Sequence, residues 1–569
     1  MDERRDQLAA TLAVALAALA LLILLGGRVL GPADLYFKDQ PKTVSYTADM
    51  LLNGRWALPR DVLHQPATKP PLYNWIGAAA VAVTRSWSPF VLKLPSLLGA
   101  LLAVGSVFAA TRFLLRRPDA AAAAADAASV DDDAFPLDPQ LSLRREDDRD
   151  ANPAGFATAV AAVAAAMCLC NATAADLAYR ARPDMLQAGF MTLAFACATM
   201  CVWPFEKPKR ATWLAMAFWV AVSLAALTKG PMAILPAVYG LILPFVLGRP
   251  RDVLRLKPLI GVPIAIVPFG AWFFFAYRQD AGFVTDVLLK GEAYGRIMQA
   301  TPEGHVKQWW YGYVWWWGKA FVWSNVAIVT ACVMLARLLT RRSRLSHPIV
   351  PAMLYTLVIL AGISLSAGKR IDYVLPAMLP GAIVASFGLF AAAGWVARRM
   401  PTFLQPLARA GPAGLVLLYA GVVVYGFWTD GDKRVEVATG WTDSAWQFSR
   451  EVDAVVGDDP LLVIVRGKTP LPTFLGRHYG DGITDADFAA SAWLILEKQP
   501  DLPAVLESDP LPNDFAPGDK SKTAVHALYR RSDVPEAVFK AMRFRALDWN
   551  DAENVYRRDE HFPPNWRER

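Results

Sequence analysis

Cysteine is scarce in this chain, and the few that occur do not suit a disulfide framework. All five, Cys168, Cys170, Cys197, Cys201 and Cys332, lie in long apolar runs. No CxxC pair and no metal-type spacing of cysteine with histidine occurs, and the polar region after residue 428 has no cysteine. This pattern argues against a disulfide framework or a structural zinc site in that region.

Nucleotide-binding loops are lacking too, because neither a GxGxxG run nor a P-loop sequence occurs in the 569 residues. Charge is also low: Asp, Glu, Lys and Arg make up 19% of the residues, against about 25% in soluble proteins. The net charge of +7 is modest. In a chain with long apolar runs it reflects cytoplasmic loops, so no nucleic-acid partner is expected.

Long apolar runs dominate what is present. Runs of about 20 apolar residues predict spans at 9–30, 88–115, 154–173, 185–203, 211–227, 229–247, 258–277, 319–338, 347–366, 371–395 and 411–428. The first run is too long for the apolar region of a signal peptide, so we expect a retained helix. Shorter apolar segments at 72–87 and 309–318 predict interfacial or re-entrant pieces. The expected fold is a mainly α, polytopic membrane protein with about 11–13 transmembrane helices.

Lysine and arginine in the connections predict the orientation of the spans. With the N-terminus in the cytoplasm, the strongly basic connections share that side: 4–5, 116–117, 144–145, 207–210, 249–257, 341–344 and 398–399. The opposite, extracytoplasmic side then receives 31–87, 174–184, 228–230, 278–318, 367–370 and everything after 429.

Two polar regions interrupt this pattern. Residues 118–153 are rich in Ala and Asp and predict a disordered cytoplasmic insertion. Residues 429–569 contain two apolar runs, 460–465 and 492–496, that are typical of buried strands. We therefore expect a transmembrane domain over 1–428 and a small extracytoplasmic α/β domain over 429–569.

Cations gather on the extracytoplasmic side, where the positive-inside rule does not place them. They are Lys69, Arg180, Arg182, Lys229, Arg296, Lys369 and Arg370. Snorkelling to headgroups explains any one of them. A shared anionic ligand, such as a lipid phosphate or diphosphate, explains the whole group better.

Carboxylates fall on the same side. The polar, Pro-rich loop at 31–75 opens with Asp34 and Asp39, and Asp184 follows the cations Arg180 and Arg182. A carboxylate in reach of a nucleophile can remove its proton, although each acid is also a plausible cap or turn residue. The aromatic run at 309–323 is typical of an interfacial belt, and it also suits a groove for an isoprenoid chain.

These motifs resemble those of the polyprenyl-phosphate-sugar glycosyltransferases of the GT-C class. That class includes the bacterial lipid A aminoarabinose transferases and, more distantly, the protein O-mannosyltransferases. The resemblance covers roughly residues 9–428. It rests on ADMLLNGRWALP at 48–59, TKPPLYNW at 68–75, YRARPDML at 179–186, LTKGP at 227–231 and GKRIDYVLPAMLP at 368–380.

The resemblance implies transfer of a sugar from a polyprenyl-phosphate carrier to a lipid or glycan acceptor, by an inverting single displacement. It places the site on the extracytoplasmic side of a bacterial inner membrane and suggests modification of lipid A or lipopolysaccharide. By position it implies Asp39 and Asp184 as catalytic residues, with Asp39 as the general base. It also implies Lys69, Arg296, Lys229, Lys369 and Arg370 as ligands of the donor phosphate, and Tyr373, Arg180 and Arg182 as cavity residues.

The chain departs from the family at three positions. Gln40 follows Asp39 where relatives have Glu, Thr68 stands where many have Glu, and Ala293 where many have His. The Glu and His positions are linked to a metal in some relatives, so no metal ligand set is assigned. His305 and Glu292 are the residues that could substitute.

Two other functions remain open on the sequence. A transporter or flippase of a lipid-linked glycan would line a path across the bilayer with charge, and few charges lie inside the spans. A catalytically silent membrane protein could bind glycans through its outer α/β domain. It would depend on residues 429–569 and not on Asp39 or Lys69.

Overall fold

The computed structural model describes most of the 569-residue chain. The described residues are 2–31, 35, 39–61, 66–115, 153–203, 208–295, 308–316, 323–340, 345, 347–366, 369–429, 441–464, 471–475, 485–512, 523–540 and 542. The disordered insertion predicted at 118–153 lies outside them except for its last residue.

Ten α-helices lie in the described part of the chain between residues 2 and 279. They are α1 (Asp2–Val29), α2 (Gln40–Asn53), α3 (Leu72–Thr84), α4 (Pro89–Leu115), α5 (Pro153–Leu169), α6 (Ala172–Leu177), α7 (Pro183–Val202), α8 (Pro208–Lys229), α9 (Ile234–Val246) and α10 (Pro258–Gln279). Five of them begin on proline, whose missing N–H is not needed in the first turn. The pair Asn53-Gly54 ends α2, and Gly54 adopts the left-handed conformation there with φ of +69°.

Shorter elements and further helices follow. Short 3₁₀ segments cover Pro231–Ala233, Pro250–Leu256 and Ile371–Val374, and a helical turn at Ala281–Phe283 continues into π-helix at Val284–Gly295. The remaining helices are α11 (Tyr311–Trp315), α12 (Ser324–Leu339), α13 (Val350–Leu365), α14 (Leu375–Ala397), α15 (Gln405–Thr429), α16 (Trp441–Val456), α17 (Leu471–Leu475) and α18 (Asp485–Ala490).

Among the described residues, seven helices are long and apolar enough to cross a membrane: α1, α4, α7, α8, α10, α14 and α15. The shorter apolar helices α5, α9, α12 and α13 coincide with the other four predicted spans. The short segments predicted at 72–87 and 309–318 contain α3 and α11. The prediction of a mainly α, polytopic membrane protein is confirmed.

Helices α7 and α14 form the centre of the bundle. Nearly every side chain of both is buried, whereas most of α10 is exposed on the outside. A helix that is apolar all round suits such an interior position. Its many Ala and Gly residues let neighbouring backbones approach closely.

A close backbone contact joins α4 to α7 through two facing glycines, Gly99 and Gly189. A Cβ added at Gly99 would lie 2.5 Å from the carbonyl oxygen of Met185 and 2.5 Å from Cα of Leu186. Both are backbone atoms, so neither can move aside without shifting the helix.

The described part of the chain after residue 440 contains a small α/β unit. Its four-stranded sheet has the order β1 (Leu461–Val463), β2 (Trp493–Glu497), β6 (His526–Arg530), β3 (Leu506–Glu507). Strands β1 and β2 are parallel, and the other pairs are antiparallel, as are β4 (Leu511–Pro512) and β5 (Thr523–Ala524). Both predicted strands are present as β1 and β2. The domain boundary at 428/429 stays a prediction.

The glycine contact generates a stability prediction. Gly99→Ala should lower the free energy of unfolding by about 1–3 kcal/mol, because the added methyl group overpacks a backbone contact. Thermal unfolding in detergent micelles measures the change. Gly105→Ala is the matched control on the same helix, since no atom lies within 4 Å of an added Cβ there. Equal stability of the Gly99 and Gly105 variants would contradict the close approach.

Candidate active site

Asp39 stands at the N-terminal end of α2, in the polar loop between α1 and α3. Its side chain makes no capping hydrogen bond to the helix. Instead, the backbone carbonyl of Asp39 accepts hydrogen bonds from the N–H of Thr43 at 3.0 Å and from the Thr43 hydroxyl at 2.9 Å. The Asp39 carboxylate therefore does not cap α2, although the sequence allowed that role.

Four cations surround the Asp39 carboxylate. Burial acts to raise the pKa of Asp39, but the charges of Lys69, Arg182, Arg370 and Lys42 together outweigh it and lower the pKa below its usual value. Asp39 is therefore ionised at neutral pH. Its position next to several cations is also where a bound anion would sit.

Among the neighbouring cations, Lys69 lowers the pKa of Asp39 the most. Several groups act on the pKa of Lys69 itself, in opposite directions. Burial lowers the pKa of Lys69 to about 8, with Lys229 and Arg182 contributing in the same direction and Asp39 and Asp184 opposing them. The ammonium form still predominates at neutral pH. A bound anion would hold the proton more firmly, because opposite charge favours the charged form of lysine.

A buried ion network lies beside this pair. The Nε of Arg182 lies 3.4 Å from Oδ2 of Asp184, and its Nη2 lies 3.0 Å from Oδ2 of Asp372. The other oxygen of Asp184 accepts a hydrogen bond from the Lys229 ammonium, which lies 4.9 Å from the ring centroid of Tyr373. The network joins the start of α7, the end of α8 and the turn before α14.

Asp184 lies in the first turn of α7, where Arg182 occupies the capping position. Its carboxylate is almost completely buried, and both oxygens face cations. The proposed N-cap role is not observed. The geometry is that of a buried ion network in which one carboxylate orients two cations, Arg182 and Lys229.

Gln40 ties the loop helix to the segment that carries Arg182. Its Oε1 accepts a hydrogen bond of 2.8 Å from the backbone N–H of Ala181, and Gln40 is fully buried. An amide can accept this bond without placing a second negative charge beside Asp39. Gln40 thus has a structural role at the position after Asp39.

Two acids hold the rest of the loop in shape. The carboxylate of Asp49 is buried and accepts from Asn53 Nδ2 at 2.6 Å, from Arg55 Nη1 at 3.2 Å and from the backbone N–H of Arg60 at 2.7 Å. Asp61, also buried, pairs with Lys42 at 3.5 Å. Sequence reasoning missed both acids as loop anchors.

Two tryptophan indoles, one from α3 and one from α10, donate hydrogen bonds to backbone carbonyls of the loop. Trp75 of α3 donates to the carbonyl of Trp56 at 2.9 Å, and Trp272 of α10 donates to the carbonyl of Ala57 at 2.9 Å. An indole N–H needs a partner when buried, and a loop carbonyl supplies one. The first loop is thus held at several points.

Two of the predicted cations, Arg180 and Lys369, bond groups other than Asp39 and Asp184. Arg180 bonds Asp176 at 2.8 Å, and Asp176 also pairs with Arg28 at 3.5 Å, in a cluster separate from Asp184. Lys369 donates to the backbone carbonyl of Ser366, and burial lowers its pKa. The predicted phosphate ligand Arg296 lies outside the described residues, as does Asp34.

The described residues around Asp39 do not fit a divalent metal. No group of three His, Cys, Asp or Glu side chains able to hold a metal occurs among them. The neighbours that act on Asp39 are cations, which would repel a metal ion. The substitutes His305 and the side chain of Glu292 lie outside the described part of the chain.

Comparison with known proteins identifies the fold. No family model matches the sequence, and no curated protein matches it by sequence. The crystal structure of ArnT from Cupriavidus metallidurans bound to undecaprenyl phosphate is similar, with a TM-score of 0.59 and 17% identity. The likeness covers 90% of this chain and 97% of that one. ArnT from the same organism in the apo state gives a TM-score of 0.58 at 16% identity, with the same coverage. The chain therefore has the GT-C fold.

Proposed function

We propose that the protein is a membrane glycosyltransferase that moves a sugar from a polyprenyl-phosphate carrier to a lipid or glycan acceptor. The observation that carries the proposal is the ionised Asp39 among Lys69, Arg182 and Arg370. A base and a set of phosphate-binding cations in one place are what such a transfer requires. The similarity to an ArnT structure bound to undecaprenyl phosphate supports a lipid-phosphate donor.

The proposed reaction is a single displacement at the anomeric carbon. Lys69, Arg182 and Arg370 hold the donor phosphate, with Arg296 added by the family resemblance. The acceptor oxygen attacks the anomeric carbon while the bond from that carbon to the phosphate oxygen breaks. The polyprenyl phosphate leaves with the electron pair of that bond, and Asp39 takes the acceptor proton.

Phosphate binding should also prepare the base. The cations that lower the pKa of Asp39 would be partly neutralised by the bound anion, so its pKa would rise toward the usual value. Asp39 would then be a stronger base when donor is present. Lys69 and Arg182 would in turn stabilise the charge that develops on the departing phosphate.

Within this proposal Asp184 orients cations and does not react. Its two oxygens face Arg182 and Lys229, so its charge balances those two cations. Lys229 and Tyr373, which lie together beside Asp184, would contact the sugar. Lys369 and Arg180, which contact other groups, would contribute less directly.

The site is proposed to face the extracytoplasmic side of a bacterial inner membrane. The distribution of Lys and Arg among the connections supports this orientation. The charged network lies at helix ends, at the start of α7 and the end of α8, and so does not form a path across the bilayer. That placement favours a transferase over a flippase.

Replacing the base tests the mechanism. Asp39→Asn should reduce sugar transfer by about 10²–10⁴-fold, because the amide cannot accept the proton. Purified protein in detergent with undecaprenyl-phosphate aminoarabinose and lipid A as first probes, then with total bacterial lipid extract, provides the assay. Release of free undecaprenyl phosphate is the readout.

Asp280→Asn is the matched control. Asp280 caps a different loop helix through a 2.9 Å bond from the N–H of Phe283, which an Asn oxygen can also accept. Full activity of Asp39→Asn would remove Asp39 from the catalytic role. Movement of labelled donor across proteoliposomes without its turnover would support the flippase instead.

The Lys69 charge predicts a pH dependence. Its pKa of about 8 means that the free enzyme loses the ammonium form as pH rises through that value. A phosphodiester donor keeps its charge over the same range, so kcat/KM for donor should fall about tenfold per pH unit above pH 8. Lys69→Arg should remove this decline, because arginine stays charged. A decline that persists in Lys69→Arg would assign it to another group.

A further inference from the structure

A small apolar core joins the C-terminal α/β unit to the loop that carries Asp39. The buried members from the C-terminal side are Ala445 of α16, Phe474 of α17 and Leu511 of β4. Trp446 packs against them, with its ring centroid 5.6 Å from that of Phe474 and the two planes at 81°. This core is separate from the two apolar clusters inside the α/β unit.

The other half of this core comes from the site region. Its members are Val44 of α2, Val81 of α3, Val91 and Leu92 of α4, Leu35, and Ala181 of the segment before α7. Val44 lies five residues after Asp39 on the same helix. Phe474 and Val44 are each only 1% exposed, so solvent does not separate the two parts.

Ala181 connects this apolar core to the ion network around Asp184. Its side chain is in the apolar core, and its N–H donates to Gln40 at 2.8 Å. Its neighbours Arg180 and Arg182 bond Asp176 and Asp372, and Ser96 donates to the backbone carbonyls of both arginines. A displacement of Ala181 would therefore move Arg182 relative to Asp39.

We propose that the C-terminal unit is part of the active-site scaffold, with Phe474 as a positioning residue that holds α2 against the Ala181 segment. This rests on the proposed glycosyl transfer. In a rigid core, removing the phenyl ring leaves a cavity that neighbours fill only partly, so α2 gains freedom to shift. A base displaced by about 1 Å can lose about 10²-fold in rate.

The shared core changes how the C-terminal unit should be tested. Deleting residues 429–569 would remove Phe474, Trp446 and Leu511 and so would disturb α2 whether or not the unit binds glycans. Deletion therefore does not separate a glycan-binding domain from a scaffold. A single substitution at the contact does.

Phe474→Ala in the full chain is the test, with Phe488→Ala as the matched control. Phe488 is also buried, but it stacks on Phe539 at 4.3 Å inside the α/β unit and away from α2. We expect Phe474→Ala to lower kcat about 10- to 100-fold with a smaller change in the KM for donor. Phe488→Ala should keep kcat within about threefold at temperatures below its unfolding transition.

Hydrogen exchange of the α2 amides gives a readout that does not depend on the identity of the reaction. We expect these amides to exchange several-fold faster in Phe474→Ala and at the wild-type rate in Phe488→Ala. Unchanged α2 exchange in Phe474→Ala, or equal acceleration in both variants, would overturn the scaffold role. Faster α2 exchange without any sugar transfer by the wild type would overturn the proposed function and leave the scaffold contact standing.

Discussion

The ion network centred on Asp184 is the interaction on which the rest of the site depends. Arg182 and Lys229 stand at helix ends near the membrane, where an uncompensated cation costs several kcal/mol. One carboxylate satisfies both and so joins α7 to α8. Asp372 extends the network to the turn before α14. Arg182, one of the cations that act on Asp39, is held in this network independently of the loop that carries Asp39.

The spans, the first loop and the two strands were predictable because each follows from a local sequence pattern. Apolar runs have the length of a bilayer, and Asn53-Gly54 carries the turn signal of a helix end. The excess of cations on one side also indicated a site without any structural information. Those features need no knowledge of which residues meet.

The contacts inside the site were harder to predict because they join distant positions. Arg180 and Arg182 look equivalent in sequence, yet Arg180 bonds Asp176 and Arg182 bonds Asp372. Asp49 lay within a recognised motif, but its partner at the backbone of Arg60 is eleven residues away. Asp372 stands beside Tyr373 in another motif, and no local pattern predicts its bond to Arg182. The core shared by Val44 and Phe474 links positions that no local pattern relates.

The glycine contact between α4 and α7 limits how a lipid could reach this site. With no clearance between their backbones at Gly99 and Gly189, these two helices form one stiff wall. Under the proposed function, a long-chain carrier that enters sideways from the bilayer would not pass between these two helices. Helix α10, by contrast, has most of its side chains exposed and contacts the first loop through the bond from Trp272 to the Ala57 carbonyl, so the two sides of the bundle differ in how tightly they pack.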